Sequence, residues 1–210
     1  NEVANDTPMH FQWYAELIDK TFGKVSATDP SITSLIVKEP IGVVAGVVPW
    51  NFPLMMAVWK AAPALATGCS VIIKPAEDTP LSALKIAQIA KEAGIPDGVF
   101  NVLPGFGDVG EALGRHNDVD AVSFTGSTEV GGLFMKYSGE SNLKTIGLEM
   151  GGKSPFLVLE DAKINDALID NAINSAFWNG GQNCSANMRQ IIHNKVKDEF
   201  LDKVLKRVKN

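Results

Sequence analysis

Cysteine and histidine are scarce in this sequence, and the few that occur are not clustered. The 210 residues include two cysteines, Cys69 and Cys184, and three histidines, with no CxxC pair. A zinc site needs ligands at close spacing, and a disulfide framework needs several cysteines. The sequence therefore argues against both, and it predicts free thiols, no bound metal and a reducing, cytoplasmic location.

An excess of positive charge is also lacking, as are long apolar runs. The chain carries 19 Lys and Arg against 24 Asp and Glu, a net charge of -5 at pH 7. Proteins that bind nucleic acid carry basic surfaces, so we expect no nucleic-acid partner. The nearest candidate for a membrane span, 41–48, stops at Pro49, far short of the roughly 20 residues required. Residues 1–9 show neither a signal-peptide pattern nor an initiator methionine, so a leader would lie outside this sequence.

What the sequence does contain is a repeated strand, turn and helix pattern that begins at residue 41. Short β-branched runs alternate with apolar-periodic helices, which predicts a parallel sheet covered on both faces, a doubly wound, Rossmann-like α/β domain. Such sheets bind ligands at the carboxyl ends of their strands. The predicted strands are 41–48, 71–74, 99–103, 121–124 and 144–148, and the predicted helices are 53–66, 80–93, 108–115 and 127–138.

The segments on either side of this pattern are predicted separately. A helix with apolar spacing from Phe11 to Phe22 comes first, followed at 31–38 by an edge strand or an arm that pairs elsewhere. We expect Thr79 to cap the 80–93 helix, and Asp108 with Glu111 to form a capping pair. After residue 152 the chain offers two strands, 156–159 and 190–193, and two helices, 164–177 and 195–208. These are too few to cover a second sheet, so we interpret them as the start of a second α/β domain.

A thiol stands in an unusual setting at Cys184. An apolar helical run ends in Gly180 and Gly181, and Cys184 follows between amide and hydroxyl side chains. A free thiol has a pKa of about 8.5 and needs nearby N–H groups or positive charge to react as the thiolate at neutral pH. Two hypotheses follow, a nucleophile presented on a loop or a small residue buried in the core.

Polar side chains follow two of the predicted strands. Asn51 lies between two prolines and two aromatic residues, which would hold its amide as a preorganised hydrogen-bond donor, or it caps the following helix. Lys74 and Glu77 follow the next strand, where an acid can accept hydrogen bonds from a ribose. The alternative for Lys74 and Glu77 is an exposed ion pair of little energetic value.

Two further candidates lie at the ends of later strands. Residues 124–131, FTGSTEVG, run from a strand through a glycine and a hydroxyl cap into a helix, whose N-terminus favours phosphate. This stretch is neither GxGxxG nor a P-loop, so phosphate binding is only weakly indicated. Glu149 ends the fifth strand before two glycines, where it would act as a general base or form a salt bridge or helix cap.

Taken together, the motifs PWNFP, KPAE, FTGSTEVG, LEMGGKSP and GQNC, in this order, resemble the aldehyde dehydrogenase superfamily from about residue 11 onward. The resemblance implies a hydrolytic, NAD-dependent enzyme that oxidises an aldehyde to a carboxylic acid. Cys184 matches the nucleophile that forms a thiohemiacetal and then a thioester. Asn51 matches the oxyanion-hole donor together with the backbone N–H of Cys184, and Glu149 matches the base that activates water.

The resemblance also implies how the cofactor is held. Glu77 would repel a 2′-phosphate and so favours NAD, with NADP as the alternative cofactor. No role is assigned to Lys153. The residues implied in cofactor binding are Trp50, Lys74, Glu77, Gly126, Ser127 and Gly131.

The resemblance further implies a division of the chain and an assembly. Residues 1–23 and 41–150 match the dinucleotide-binding domain, 24–40 an oligomerisation arm, and 151–210 an incomplete catalytic domain. A homo-oligomer, dimer or tetramer, is therefore expected, within a protein longer than this sequence. Two alternatives stay open: an acylating enzyme that passes the thioester to coenzyme A, and a nucleotide-binding fragment without turnover. Glu149 argues against the acylating branch, which needs no base to activate water.

Overall fold

A computed structural model of the protein describes residues 2–26 and 29–209. Residues 1, 27, 28 and 210, which fall within the predicted 1–23, 24–40 and 151–210 segments, lie outside the described residues. The chain divides into two compact units, Asn1–Glu149 and Met150–Asn210, here called unit 1 and unit 2. Each unit is built around its own sheet.

Unit 1 contains five α-helices among its described residues, interleaved with short strands. A 3-10 turn, Ile18–Lys20, follows the first helix, and the last strand ends at the unit boundary. In chain order the elements are α1 Glu2–Leu17, β1 Lys24–Ser26, β2 Ser34–Ile36, β3 Val43–Val47, α2 Pro53–Ala66, β4 Ser70–Lys74, α3 Leu81–Glu92, β5 Phe100–Val102, α4 Gly107–Arg115, β6 Ala121–Gly126, α5 Thr128–Gly139 and β7 Thr145–Met150.

The main sheet of unit 1 has five strands in the order β5-β4-β3-β6-β7. The pairs β3–β4, β3–β6 and β4–β5 are parallel, with Val47 opposite both Lys74 and Phe124. Parallel strands joined through helices make right-handed crossovers almost without exception, so strands added on either side of β3 require helices on both faces. The predicted doubly wound, Rossmann-like sheet is thus confirmed, and its switch point lies between β3 and β6.

The core of unit 1 is built from strand β4 and the apolar helix α2. Val71 and Ile73 of β4 are fully buried, as is Val58 of α2. Burying a side chain of this size contributes about 1.5–3 kcal/mol relative to leaving it exposed. This packing holds the strand that ends at Lys74 and the helix that begins after Asn51 in fixed positions within the unit.

Two local predictions of helix capping are wrong. Helix α3 begins at Leu81 with Pro80 in the N-cap position, so Thr79 lies outside the helix, where its N–H donates to Ala76 O. Helix α4 begins at Gly107 after Phe106, which places Asp108 inside the first turn instead of before it. A carboxylate there favours the helix dipole without closing a capping pair.

The segment before the main sheet also differs from the prediction. The first helix, α1, starts earlier than the Phe11 to Phe22 spacing indicated, and it ends at Leu17. The predicted 31–38 strand is the shorter β2, and it pairs antiparallel with β1, which the sequence pattern did not indicate. The exposed apolar side chains of this hairpin include Val25, Leu35 and Ile36.

Unit 2 has a small sheet and two helices. Strand β8 is Pro155–Val158, α6 is Asp166–Phe177, β9 is Arg189–Ile192 and α7 is Asn194–Val208. Strands β8 and β9 pair in parallel, and Val158, Ile169 and Phe200 form the buried core beneath them. A bidentate ion pair joins Arg207 to Asp170, with both N to O distances at 2.7 Å.

Candidate active site

Eight of the nine predicted site residues lie at one edge of the main sheet in unit 1. Each stands at the carboxyl end of a strand or in the turn and first helical turn that follow it. This is the edge at which doubly wound sheets bind ligands. The residues are Trp50 and Asn51 after β3, Lys74 and Glu77 at the end of β4, Gly126, Ser127 and Gly131 between β6 and α5, and Glu149 in β7.

The turn that carries Asn51 is fixed at both ends. Val48 and Phe52 are buried in the core, and the Val48 N–H donates to Lys74 O at 3.1 Å. Pro53 then begins α2, and the residue in the N-cap position is Phe52 and not Asn51. Two buried anchors on either side of one half-buried amide give the rigidity that a preorganised donor needs.

Lys74 and Glu77 form an ion pair after β4. Lys74 Nζ lies 3.4 Å from Glu77 Oε2, with the lysine side chain 7% exposed and the glutamate 49% exposed. A backbone N–H, and secondly Lys74, hold the pKa of the Glu77 carboxyl below its ordinary value. Glu77 therefore presents a negative charge to solvent at this edge at neutral pH.

Ser127 caps the N-terminus of α5. Its Oγ accepts a hydrogen bond from Val130 N at 3.2 Å, so the predicted hydroxyl cap is present. The preceding Gly126 is tightly packed, since a Cβ there would lie 2.5 Å from Phe124 Cζ. This turn therefore accepts only glycine without rearrangement, and it brings backbone N–H groups to the sheet edge, where an anion can bind.

Lys60 is a residue of this site that the motifs did not indicate. Its Nζ donates to Thr125 Oγ1 at 2.7 Å and to Ser123 Oγ at 3.2 Å, both on strand β6. Lys60 is the one charged residue of the otherwise apolar α2. That isolation within an apolar helix was the signal in the sequence.

The electrostatics of Lys60 link it to Glu149. Burial lowers the pKa of Lys60 to about 8, and the negative charge of Glu149 opposes this change. The structure thus brings the helix that follows Asn51 within electrostatic reach of Glu149, which is exposed at the end of β7. Lys60 is therefore a cation whose charge changes near pH 8, within electrostatic reach of the predicted base.

Cys184 belongs to unit 2, on the loop after α6. The chain leaves the helix through Asn179, Gly180 and Gly181, with φ of 54°, 67° and 76°. This left-handed path is one that glycine adopts readily. Cys184 is half-buried, whereas Cys69 is buried in unit 1, and both are free thiols.

The loop around Cys184 is held by its neighbours. Asn183 Oδ1 accepts hydrogen bonds from Ser185 N at 3.2 Å and from Ser185 Oγ at 3.1 Å, and Cys184 Sγ lies 3.9 Å from the same oxygen. Asn187 N donates to Ser175 O at 2.9 Å, which ties the end of the loop to α6. The thiol is therefore held on an ordered turn.

Three further features concern metal ligands, membrane-spanning helices and a cavity away from the site. Among residues 2–26 and 29–209, no group of three or more His, Cys, Asp and Glu side chains is placed to hold a metal ion. Within the same ranges no helix has the length and apolarity to span a bilayer. A cavity of about 400 Å³ lies between α3 and β5, and none of the predicted site residues lines it.

Comparison with known proteins gives a consistent result. Residues 2–210 match the model of the aldehyde dehydrogenase family. The chain is 53% identical over 194 residues to the aminoacetaldehyde dehydrogenase of Pseudomonas aeruginosa, covering 92% of this chain and 39% of that protein. It is 50% identical over 191 residues to the NADP/NAD-dependent aldehyde dehydrogenase PuuC of Escherichia coli, covering 90% and 39%.

The fold agrees with a solved structure as well. An indole-3-acetaldehyde dehydrogenase in complex with NAD+ superimposes with a TM-score of 0.92 at 50% identity, covering 95% of this chain and 41% of that one. The chain spans about two fifths of the length of these relatives, 39% to 41%.

Proposed function

The chain belongs to the aldehyde dehydrogenase family, and from that premise we propose that it serves the NAD-dependent oxidation of an aldehyde to a carboxylic acid. One observation carries the proposal. Eight predicted site residues from four separate strand ends lie at the carboxyl edge of one parallel sheet. That edge is where such sheets bind dinucleotides.

Each catalytic residue has a distinct role in this reaction. The Cys184 thiolate adds to the aldehyde carbon, giving a thiohemiacetal and, after oxidation, a thioester. The Asn51 amide donates a hydrogen bond to the oxygen that gains negative charge. Glu149 takes a proton from the water that attacks the thioester carbon, which releases the acid and restores the thiol.

Residues of unit 1 fit the proposed cofactor. The Ser127-capped N-terminus of α5 suits a pyrophosphate, and the Glu77 carboxylate suits ribose hydroxyls. When bound, NAD would supply the acceptor for the hydrogen and electron pair that leave the substrate carbon. The negative charge of Glu77 favours NAD, while the relative PuuC is named as using both NADP and NAD.

The direct test is aldehyde-dependent formation of NADH by the purified protein, followed by absorbance. Aminoacetaldehyde is the first substrate to test, because the relative named for it is 53% identical. Wild-type protein should form NADH and Cys184→Ala should not, while Cys69→Ala, which alters the buried thiol, should keep the activity. NADH formation that survives Cys184→Ala would contradict the proposal.

The two alternatives are separated by further measurements. Coenzyme A would be consumed, and an acyl-coenzyme A would accumulate, if the acylating branch applied. Binding of NAD without NADH formation would favour a nucleotide-binding fragment. One observation favours this second alternative: Leu157 and Ile191, on the two-stranded sheet of the unit that carries Cys184, are exposed, so the described residues of unit 2 leave part of its sheet uncovered.

We also propose the domain roles and the assembly. Residues 1–23 and 41–150 bind the dinucleotide, 151–210 carry the nucleophile, and the 24–40 arm joins copies of the chain in a dimer or tetramer. The exposed apolar residues Val25, Leu35 and Val37 of the arm support this role. The molar mass measured by light scattering should be lower for Leu35→Lys than for wild type, and equal masses would contradict an interface there.

The two free thiols support the predicted cytoplasmic location.

A further inference from the structure

Helices α4 and α5 lie side by side, and they touch directly at their C-terminal ends. A Cβ on Gly114 would lie 2.7 Å from Tyr137 Cδ2 and 3.2 Å from Phe134 Cδ1. Gly110, one turn earlier, faces Phe134 at van der Waals distance. The two helices therefore pack closely at the end remote from the carboxyl edge of the sheet.

Arg115 connects the same two helix ends by charge. Its guanidinium lies 4.5 Å above the Tyr137 ring, and Nη1 lies 2.7 Å from Glu140 Oε2. Nε lies 2.7 Å from Glu111 Oε1 within α4, which fixes the fork of the guanidinium. The hydrogen bond from Arg115 holds the pKa of the Glu140 carboxyl below its ordinary value.

A second cation, Lys144, binds the C-terminal end of α4 from the position just before β7. Lys144 is buried, and its Nζ donates to Gly114 O at 2.6 Å and to Ser141 Oγ at 2.9 Å. The carbonyls at a helix C-terminus carry partial negative charge, so an ammonium there is favourable. We call Gly114, Arg115, Tyr137, Glu140 and Lys144 the C-terminal tie.

The opposite ends of the two helices are open. Side chains near the N-termini of α4 and α5 leave much of their apolar surface exposed, although they stand at the ligand-binding edge. They are Leu103, Phe106, Val130 and Leu133. Gly126 and Ser127 of the proposed cofactor site lie at the same end. Arg115 is about 12 Å along α4 from Gly107, so it does not reach a ligand bound there.

We propose that Arg115 is a positioning residue. Through the C-terminal tie it holds α4 against α5 at one end, and it thereby fixes the separation of their N-termini for the cofactor. The inference rests on the proposed function. Two rigid helices joined at one end keep their angle, so the ligand does not have to order them when it binds. Preorganisation of this kind raises affinity without adding a contact to the ligand.

The test compares Arg115→Met with Arg207→Met, which removes a similar two-contact surface ion pair from unit 2. NAD affinity is measured by calorimetry and stability by thermal unfolding. Arg115→Met should raise the Kd for NAD roughly three- to thirtyfold, with kcat at saturating NAD unchanged. Arg207→Met should cost similar stability and leave the Kd as in wild type. Arg115→Lys, which keeps the charge, should recover part of the affinity.

Two further measurements separate the possible failures. Gly114→Ala removes no charged group but places a Cβ against Tyr137 and forces the helices apart there, so it should also weaken NAD binding. In the free protein, Arg115→Met should speed hydrogen exchange of the amides of α4 that follow its first turn, whose N–H groups are hydrogen-bonded within the helix, and Arg207→Met should not. An unchanged Kd in Arg115→Met overturns this inference and leaves the proposed function intact. Wild-type protein that fails to bind NAD overturns the proposed function, and unchanged exchange in α4 then overturns the fastening as well.

Discussion

The ammonium of Lys60 lies 2.7 Å from Thr125 Oγ1, so a charged group from helix α2 is seated against strand β6. Its hydrogen-bond partners are hydroxyls, and the carboxylate of Glu149 acts on it through the field. A partly buried cation with hydroxyl partners loses more hydration than it regains, which is why its pKa falls. This relationship has consequences for stability that can be measured against pH.

Lys60 should make stability rise with pH above about 8. Its pKa is about 8 in the folded protein and 10.5 in the unfolded chain, so between these values the unfolded state binds more protons. Stability then increases with pH. The difference corresponds to at most about 3 kcal/mol. Urea unfolding from pH 7 to 10.5 should show this gain in wild type and in Lys85→Met, an exposed control, but not in Lys60→Met. Parallel curves for all three proteins would refute it.

Glu149→Gln should stop turnover after the first acyl-enzyme forms. The amide cannot accept a proton from water, so steady-state activity should fall about 10²- to 10⁴-fold. A burst of NADH, with a covalent acyl group found on Cys184 by mass spectrometry, is the expected result. Glu92→Gln, at an exposed position of helix α3, makes the same chemical change away from the site and should turn over normally. Normal turnover by Glu149→Gln would remove Glu149 from the role of base.

The alternation of strands and helices was predictable because each element carries its own pattern. Helix α2 was predicted with the bounds that the structure has, since Pro53 opens it and apolar residues continue to Ala66. Strand β1 was missed because three residues, KVS, carry no readable alternation. Capping at Thr79 failed for another reason: the Thr79 hydroxyl is buried and finds no hydrogen-bond partner among the described residues, and the sequence does not show which way a side chain turns.

The site was predictable where a motif names a residue, and not where partners come from distant segments. Asn51 and Ser127 stand out because their flanking residues fix the backbone. Lys60 finds Ser123 and Thr125 only after the chain has folded, since more than 60 residues separate them in sequence. The pKa of Lys60 depends on that packing, so no reading of α2 alone could supply it.

Ser127→Ala should weaken both stability and cofactor binding. Removing an N-cap acceptor typically costs about 1 kcal/mol. Asn165 caps α6 in unit 2 in the same way, with its Oδ1 accepting from Leu168 N at 3.0 Å. Urea unfolding should show comparable losses for Ser127→Ala and Asn165→Ala, while calorimetry should show weaker NAD binding only for Ser127→Ala. Equal NAD affinity in the two variants would place Ser127 outside the cofactor site.

Glu77→Gln should shift the cofactor preference toward NADP. The carboxyl is charged at neutral pH because a backbone N–H and Lys74 hold its pKa low. Removing the charge removes repulsion of a 2′-phosphate and leaves the buried Lys74 ammonium to attract it. The ratio of kcat/KM for NADP over NAD should rise by about tenfold, the equivalent of about 1.4 kcal/mol. Asp78→Asn, the neighbouring charge change, should alter this ratio less, and an equal effect would assign it to general charge.

The two thiols should differ in their reaction with an aromatic disulfide reagent. Cys184 is half-buried on a loop, whereas Cys69 is 4% exposed beneath helix α2. In the folded protein the reagent should therefore label Cys184, and Cys69 should react only when the core opens in denaturant. Cys184→Ala should leave no rapidly reacting thiol, while Cys69→Ala should react like wild type. Bound NAD should change the rate at Cys184 if the cofactor approaches this loop. No labelling of Cys184 before unfolding would mean that the thiol on the loop is not presented as a nucleophile, and rapid labelling of Cys69 would contradict its burial in the core.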